Sequence, residues 1–362
     1  MRLSAKVLVI GGGPAGATAA RFLADSGVNV ILLERNPSFV KPCGGGVPLS
    51  AFEEFSIPKA LIKKEVEIIR MVSPMGERLD IELRAGSLAI VERWEFDRAL
   101  RNKAEEHGTK VIEGEFIRIL GYKPYKVEAN IGEAKAEIVS EYIIAADGVN
   151  SKVRTALGIK SQAFFTASER IKGVKTDFCE FWFGSSHAPN FYSWVFPTAD
   201  GVSAGTGSFK IGNVGVLFER FMERRGIKSE GQKRIYRLPI WKGNLYNKDK
   251  IIFAGDSAGQ VMPLAYEGIY YAMKAGEFAA GAIIEGKADN YKKMWKARFQ
   301  KRFTLMNKLR NYFLKDDDSA ERLVVLHKRP EVQETSMKLW LRKDSSRESV
   351  KDYIRLFGKF LS

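Results

Sequence analysis

Residues 6–34 constrain the fold more than any other stretch of the chain. Lys6–Ile10 reads KVLVI, a continuous apolar run suited to a strand buried on both faces. It runs into Gly11-Gly12-Gly13-Pro14-Ala15-Gly16, then a helix pattern of small residues over Ala17–Asp25, a stop at Gly27, and a second apolar strand, Val28–Leu33, that closes on Glu34. This strand–turn–helix–strand unit predicts a doubly wound, largely parallel sheet. In such a unit the first glycine makes the turn and the second lets backbone approach a pyrophosphate. The third, at Gly16, allows close helix–strand packing, and Ala15 lies between them. Amide N–H groups at the helix start favour the phosphate charge. Glu34, 18 residues beyond Gly16, is placed to accept hydrogen bonds from ribose hydroxyls. Its acidity disfavours a 2′-phosphate, although Arg35 beside it keeps that possibility open.

Composition narrows the class. The chain has 362 residues, of which 45% are hydrophobic, enough to bury a core, and 28% charged. No window reaches the uninterrupted apolar length of a membrane span, and the N-terminus lacks the layout of a signal peptide, so a cytoplasmic protein is expected. Two cysteines, Cys43 and Cys179, are too few for a disulfide framework or an iron–sulfur cluster. The histidines at 107, 187 and 327 lack metal-ligand spacing, so no metal is expected. The net charge is +15, and +10 of it falls after position 286, where 20 Lys/Arg face 10 Asp/Glu. Such a balance points to an acidic partner.

Further along, helices are expected at 51–61 and 94–107, short antiparallel strands at 66–91, and strands at 110–119, 126–131 and 138–146. Aromatic strands are expected over 170–209, a buried strand at 251–254, and a small-residue helix at 268–285. Two of these carry motifs. Ala145-Ala146-Asp147-Gly148, followed by Ser151 and Arg154, resembles the Asp-Gly motif of aromatic-hydroxylase-type flavoproteins. Ala254-Gly255-Asp256-Ser257-Ala258-Gly259, followed by Pro263 and Gly268, resembles their Gly-Asp motif. The resemblance implies an FAD cofactor, with Asp256 and Gly255 near its ribityl or pyrophosphate part and the backbone at Gly268-Ile269 facing its pyrimidine. A helix N-terminus there stabilises the anionic reduced ring. Arg93, with Arg98 as its competitor, resembles the arginine before the helix that contacts FAD in this fold.

One departure from the hydroxylase pattern and two further features point to one subgroup. Gly259 stands where hydroxylases carry histidine, and Pro263-Leu264-Ala265-Tyr266-Glu267-Gly268-Ile269 is similar to geranylgeranyl reductases. Lys41-Pro42-Cys43-Gly44-Gly45-Gly46 resembles their cysteine–glycine loop. Pro189-Asn190-Phe191-Tyr192-Ser193-Trp194-Val195-Phe196-Pro197 matches their P-x-x-Y-x-W-x-F-P motif at every defined position. By resemblance Cys43, Gly44 and Gly46 approach the flavin ring. The resemblance spans roughly residues 4 to 285.

An isolated alkene in an isoprenoid chain offers no polar handle, so holding it requires rigid apolar walls. Period-2 spacing places Tyr192, Trp194 and Phe196 on one face of a strand. The expected reaction is saturation of C=C bonds in geranylgeranyl chains of archaeal-type membrane lipid precursors, with a hydride from reduced FAD and a proton from a nearby donor. Cys43, Tyr192 and Trp194 are expected to act chiefly by positioning substrate, with Pro189, Phe196 and Pro197 completing the wall. The expected partners are this prenyl lipid and an electron donor such as NAD(P)H or ferredoxin, without nucleic acid. Rival readings are an FAD monooxygenase and an electron-transfer flavoprotein working with another apolar substrate or a quinone.

The expected architecture is α/β. A Rossmann-like, discontinuous FAD-binding domain covers 1–65, 92–160 and 250–285. An inserted antiparallel-sheet substrate domain covers 66–91 and 161–249, and a basic helical C-terminal region covers 286–362. In that last region Tyr291, Trp295, Phe299, Phe303, Met306, Leu309 and Phe313 recur at helical spacing, with Lys292, Lys293, Lys296, Arg298, Lys301, Arg302 and Lys308 around them. This stripe reads first as a helix packed on the body. The sharper alternative is a peripheral helix on the anionic inner face of the membrane.

Overall fold

The opening apolar run, strand Arg2–Ile10, sits in the middle of an eight-stranded sheet in the computed structural model, which describes residues 1–343 and 354–357. From one edge the order is Asn247–Lys248, Ile251–Phe253, Ala134–Ala145, Arg2–Ile10, Val30–Glu34 and Lys110–Glu113. The last five of these pair in parallel. An antiparallel pair, Glu115–Tyr122 and Tyr125–Ile131, extends from the front of Ala134–Ala145. Val7, Leu8, Val9, Leu32, Ile143 and Ile144 are fully or almost fully buried, as strands covered on both faces require. Helix Pro14–Asp25 packs on helix Ile269–Ile284, where Gly276 leaves room for the Ala15 carbonyl.

A second, seven-stranded sheet runs Arg234–Pro239, Ala163–Lys172, Gly201–Ser208, Ser193–Pro197, Cys179–Trp182, Ile68–Val72 and Arg78–Glu82. From Ala163–Lys172 onward it is antiparallel except where Cys179–Trp182 meets Ile68–Val72. A three-stranded sheet joins Gly46–Pro48, Leu88–Val91 and Ile62–Val66.

By packing, the chain divides into two compact units: 1–40 with 94–163 and 239–301, and 41–93 with 164–238 and the described part of 302–362. These are units of compactness, whereas the ranges drawn from sequence assign roles.

Three segments differ from the sequence expectation. The helix expected at 51–61 ends at Glu54, because Ser56 takes a positive φ of 51° and Pro58 follows; only a short 3-10 turn resumes at Lys59–Leu61. The strand expected over 110–119 breaks at Gly114 into Lys110–Glu113 and Glu115–Tyr122. Helix Ile211–Arg225 was not foreseen. Gly212, Gly215 and two valines dilute its helix signal, and burial of Val214, Leu217, Phe218, Phe221 and Met222 overrides it.

The C-terminal region is helical over Asn290–Trp295, Lys301–Phe313, Asp317–Leu326 and Pro330–Leu341, with a π-helical stretch at Lys296–Gln300. Tyr291, Trp295, Phe299, Phe303, Leu309 and Phe313 are fully buried. The apolar stripe is therefore interior packing, and it leaves no greasy face for a bilayer. Arg302, read from sequence as part of the outer basic face, is itself buried, while Lys292, Lys293 and Lys296 remain exposed. No helix among the described residues is long and apolar enough to cross a membrane.

Candidate FAD and prenyl-chain site

In the first unit, four expected positions gather at the carboxyl ends of four adjacent parallel strands: Gly11 after Arg2–Ile10, Glu34 on Val30–Glu34, Asp147 after Ala134–Ala145, and Asp256 after Ile251–Phe253. Loops at that end of an open parallel sheet form its ligand crevice. Gly11 needs to be glycine. Its φ is +100°, and a Cβ there would lie 2.4 Å from the Ala146 carbonyl oxygen. The amide of Gly12 donates to Glu34 Oε2 at 2.6 Å, and the amide of Asn36 to Oε1 at 2.9 Å, so the carboxylate is fixed at the strand end. Arg35 points away to Glu115, 4.0 Å from it. Gly13 caps helix Pro14–Asp25 and has nothing within 4 Å of where a Cβ would stand.

The Asp-Gly and Gly-Asp motifs are bolted together. Arg154 donates to the Ser257 carbonyl at 2.7 Å and to the Val149 carbonyl at 2.6 Å, and Ser257 Oγ donates to the Ala145 carbonyl. Asp147 Oδ2 accepts from the Val153 amide at 3.1 Å, while its Oδ1 is buried with no hydrogen-bonding partner. Burial pushes this carboxyl's pKa up, against the pull of its hydrogen bonds from Ser151 and Val153. Asp256 Oδ1 lies 3.7 Å from the Cβ position of Gly268, the N-cap of the 16-residue helix Ile269–Ile284. The side-chain oxygen of Gln260 accepts from the Gly255 amide, and its nitrogen donates to Tyr291 OH.

An open glycine turn, two helix N-termini, an anchored Glu34 and an orphaned acceptor on Asp147 suit a dinucleotide with an anionic pyrophosphate and ribose hydroxyls. The residues present therefore fit FAD. Gly11, Gly13, Ala15, Gly16, Glu34, Arg35, Asp147, Gly255, Asp256, Gly268 and Ile269 all belong to this first unit.

Cys43, Gly44, Gly46 and Arg93, also expected at the cofactor, belong to the second unit together with the whole aromatic motif. The second sheet has two chemically different faces. Val195, Val202, Ala204, Trp182, Ala167 and Val72 pack with Val214, Phe218 and Phe221 of helix Ile211–Arg225 into one core. Tyr192, Trp194 and Phe196 alternate to the other face, as their spacing predicts. There the ring of Phe181, on the neighbouring strand, meets Tyr192 at 5.2 Å and Phe196 at 5.3 Å, both edge to face. Trp340 of helix Pro330–Leu341 meets the same Phe181 ring at 6.0 Å.

Trp194 packs against Gly205, where a Cβ would come 2.2 Å from the indole. The indole N–H of Trp194 is buried and donates to nothing. Phe196 lies against Gly44 and Gly46 of the cysteine loop, so the loop and the aromatic strand form one surface. Pro197 ends the strand and is buried, whereas Pro189 lies in the turn before it and is half-buried.

Cys43 is half-buried. Its sulfur receives Nη1 of buried Arg93 at 3.6 Å, and its carbonyl receives Ser203 Oγ at 3.3 Å. Arg98 lies exposed over Trp94, whereas Arg93 is buried. Glu92 next to Arg93 forms a two-pronged pair with Arg170. Cys179 is fully buried, and burial pushes its thiol pKa up.

Sequence reasoning missed Arg101. Its Nη1 donates to the Gly12 carbonyl at 3.2 Å and its Nη2 to the Pro37 carbonyl at 2.8 Å. The signal was present as Arg93, Asp97 and Arg101, polar residues at four-residue steps on helix Arg93–Glu106, all buried. Phe181 and Trp340 were missed as well. Alternation alone does not reveal which strand lies beside the motif, and Trp340 carries no local signal.

The FAD binding domain family matches residues 4–206 of the chain. The geranylgeranyl diphosphate reductase of Synechocystis sp. is 30% identical, over 93% of this chain and 92% of its own length. The digeranylgeranylglycerophospholipid reductase 2 of Methanothermobacter thermautotrophicus is 33% identical over 82% of this chain and 84% of its own. The chain belongs to the geranylgeranyl reductase family of FAD-dependent oxidoreductases. As a member it is an FAD-dependent enzyme. A geranylgeranyl bacteriochlorophyll reductase-like protein of Thermoplasma acidophilum superimposes with a TM-score of 0.83 at 22% identity, covering 100% of this chain and 98% of its own. A flavin-dependent brominase superimposes with a TM-score of 0.81 at 17% identity, so the same fold carries other flavin chemistry.

Proposed function

We propose that the protein reduces carbon–carbon double bonds in geranylgeranyl chains, acting on archaeal-type membrane lipid precursors. The observation that carries this reading is the continuous aromatic face of Phe181, Tyr192, Trp194 and Phe196, joined to the Cys43–Gly46 loop. The names of the family relatives, one of them a lipid reductase, support it.

When bound and reduced, FAD supplies the hydride equivalent for this class of reaction. The part of the chain that holds it is drawn as 1–65, 92–160 and 250–285. Gly11, Gly13, Ala15 and Gly16 would hold the pyrophosphate, Glu34 would bind ribose hydroxyls, and Asp147, Gly255 and Asp256 would receive the remaining polar groups. The amides at Gly268-Ile269, at the start of helix Ile269–Ile284, would stabilise negative charge on the reduced ring. By the resemblance of their motifs alone, Cys43, Gly44, Gly46 and Arg93 are assigned to the same cofactor.

Residues 66–91 and 161–249 receive the substrate. Tyr192, Trp194 and Phe196 hold an apolar chain against a water-free wall whose rotamers are fixed by cross-strand packing. Cys43 presents a small, weakly polar group one residue before Gly44, against which Phe196 packs, and acts by contact with the chain. An electron donor, NAD(P)H, ferredoxin or another, restores the reduced state. The exposed lysines among the described residues after 286, such as Lys292, Lys293 and Lys296, allow peripheral contact with an anionic membrane surface.

Incubation of the dithionite-reduced protein with a geranylgeranyl lipid tests the reading by mass spectrometry. Products heavier by successive pairs of hydrogen atoms are expected. An unchanged lipid, or a hydroxylated product formed only with oxygen, overturns it.

A further inference from the structure

Phe181 links the motif strand to the C-terminal region. Its half-buried ring is contacted edge to face by Tyr192, Phe196 and Trp340, at interplanar angles of 70°, 73° and 79°. Such edge-to-face contacts fix ring orientation. The aromatic surface therefore continues past the nine-residue motif. It starts where Trp194 lies on Gly205, crosses to Phe181, the register partner of Trp194 on the next strand, and ends on Trp340.

Trp340 is held firmly in place. It lies between buried Leu339 and Leu341 in the last turn of helix Pro330–Leu341, yet is only half-buried itself. Ser50 Oγ donates to the Leu341 carbonyl at 2.6 Å, and Arg342 Nε donates to the Ala85 carbonyl at 3.0 Å, pinning the helix end to the same unit as the wall. A large aromatic ring that is immobilised, partly open and continuous with an apolar wall is a surface built for contact with an apolar ligand.

We propose that Trp340 is a specificity-determining residue that grips the distal part of a prenyl chain, so that the protein favours long chains over short ones. The proposal rests on the prenyl-reductase reading and names the feature that sets chain length within it. A chain seated on Trp194 and Phe181 touches Trp340 only when it extends far enough across the strands. A chain of two prenyl units gains nothing from that ring, and one of four does.

The test is binding of geranylgeranyl diphosphate and geranyl diphosphate to the oxidised, FAD-loaded protein, by titration calorimetry in detergent solution. Wild type, Trp340→Phe and Trp340→Ala are compared. Trp340→Ala is expected to weaken geranylgeranyl binding about tenfold and geranyl binding less than about twofold, with Trp340→Phe keeping most of the affinity. Bound flavin and melting temperature report folding. If Trp340→Ala does not fold, Trp340→Leu and Phe181→Leu carry the comparison.

Equal losses for both chains, no loss for either, or failure of the wild type to bind either chain overturns the proposal. Turnover is read separately. A wild type that binds the long chain preferentially but never reduces it leaves the grip standing and removes the reductase reading.

Discussion

Arg101 and Gly12 are built around each other. The guanidinium donates to the Gly12 carbonyl, and the Arg101 Cδ lies 2.7 Å from the point where a Gly12 Cβ would stand. Through its second bond, to Pro37, the same side chain ties the glycine turn to the loop after Glu34. Arg101→Met should leave the fold intact and lower FAD affinity about tenfold, with Arg101→Lys intermediate because it lacks the fork that reaches both carbonyls. Quenching of flavin fluorescence on titration measures this. Unaltered FAD binding in Arg101→Met would remove its positioning role.

Gly205 gives the Trp194 indole its place. Gly205→Ala puts a methyl group 2.2 Å from the ring, and backbone and indole cannot both stay where they are. The variant should retain bound flavin and lose prenyl reduction by about 100-fold or more, as a misplaced wall predicts. Flavin content by absorbance and product by mass spectrometry are read on the same sample.

Arg154 joins the two aspartate motifs from a buried position, with both terminal nitrogens on carbonyl oxygens. Arg154→Met strands those carbonyls of Val149 and Ser257. A stability loss of about 3 kcal/mol is expected in urea unfolding, in line with loss of buried hydrogen bonds to a charged group. A cost below about 0.5 kcal/mol, the range of an ordinary surface substitution, would show that the link is dispensable.

His187 makes stability depend on pH. Arg224, which only donates, gives Nη1 to His187 Nε2 at 3.2 Å, so Nε2 accepts and the ring is neutral with its proton on Nδ1. That proton is donated to Ser193 Oγ, Ser193 donates to Thr206, and Thr206 donates to the His187 carbonyl. Burial, and then the Arg224 charge, lower the His187 pKa from 6.5 to about 4. The unfolded chain takes up this proton as pH falls below its ordinary value, whereas the folded ring resists until about 4. Stability is therefore full above that ordinary value and declines as pH drops between the two. The loss is on the order of 3 kcal/mol. Urea unfolding at about pH 7 and about pH 4.5 measures it, and His187→Gln should flatten the difference. An equal slope in the variant would assign the dependence to other groups.

The first 34 residues announced their own structure, because apolar continuity, glycine spacing and a terminal acid all select one supersecondary unit. The aromatic face was legible for a similar reason: period-2 spacing is a strong local signal, and Tyr192, Trp194 and Phe196 do share one face. What local pattern could not supply was pairing. Phe181 matters because its strand lies beside the motif strand, and Trp340 because a helix almost 150 positions later returns to it. Helix Ile211–Arg225 was hidden because tertiary burial, rather than propensity, makes it a helix.

The rim that joins Gly11, Glu34, Asp147 and Asp256 is assembled from pieces synthesised far apart. Its central strand, Arg2–Ile10, is made among the first, yet Ile251–Phe253, on the far side of Ala134–Ala145, emerges only after most of the chain has been translated. A growing polypeptide on the ribosome can form the glycine turn early, but it owns no complete coenzyme cradle until Gly268 has cleared the exit tunnel. On the proposed placement of the cofactor, flavin capture is a late event in biogenesis, and it reports that strands far apart in the chain have found each other.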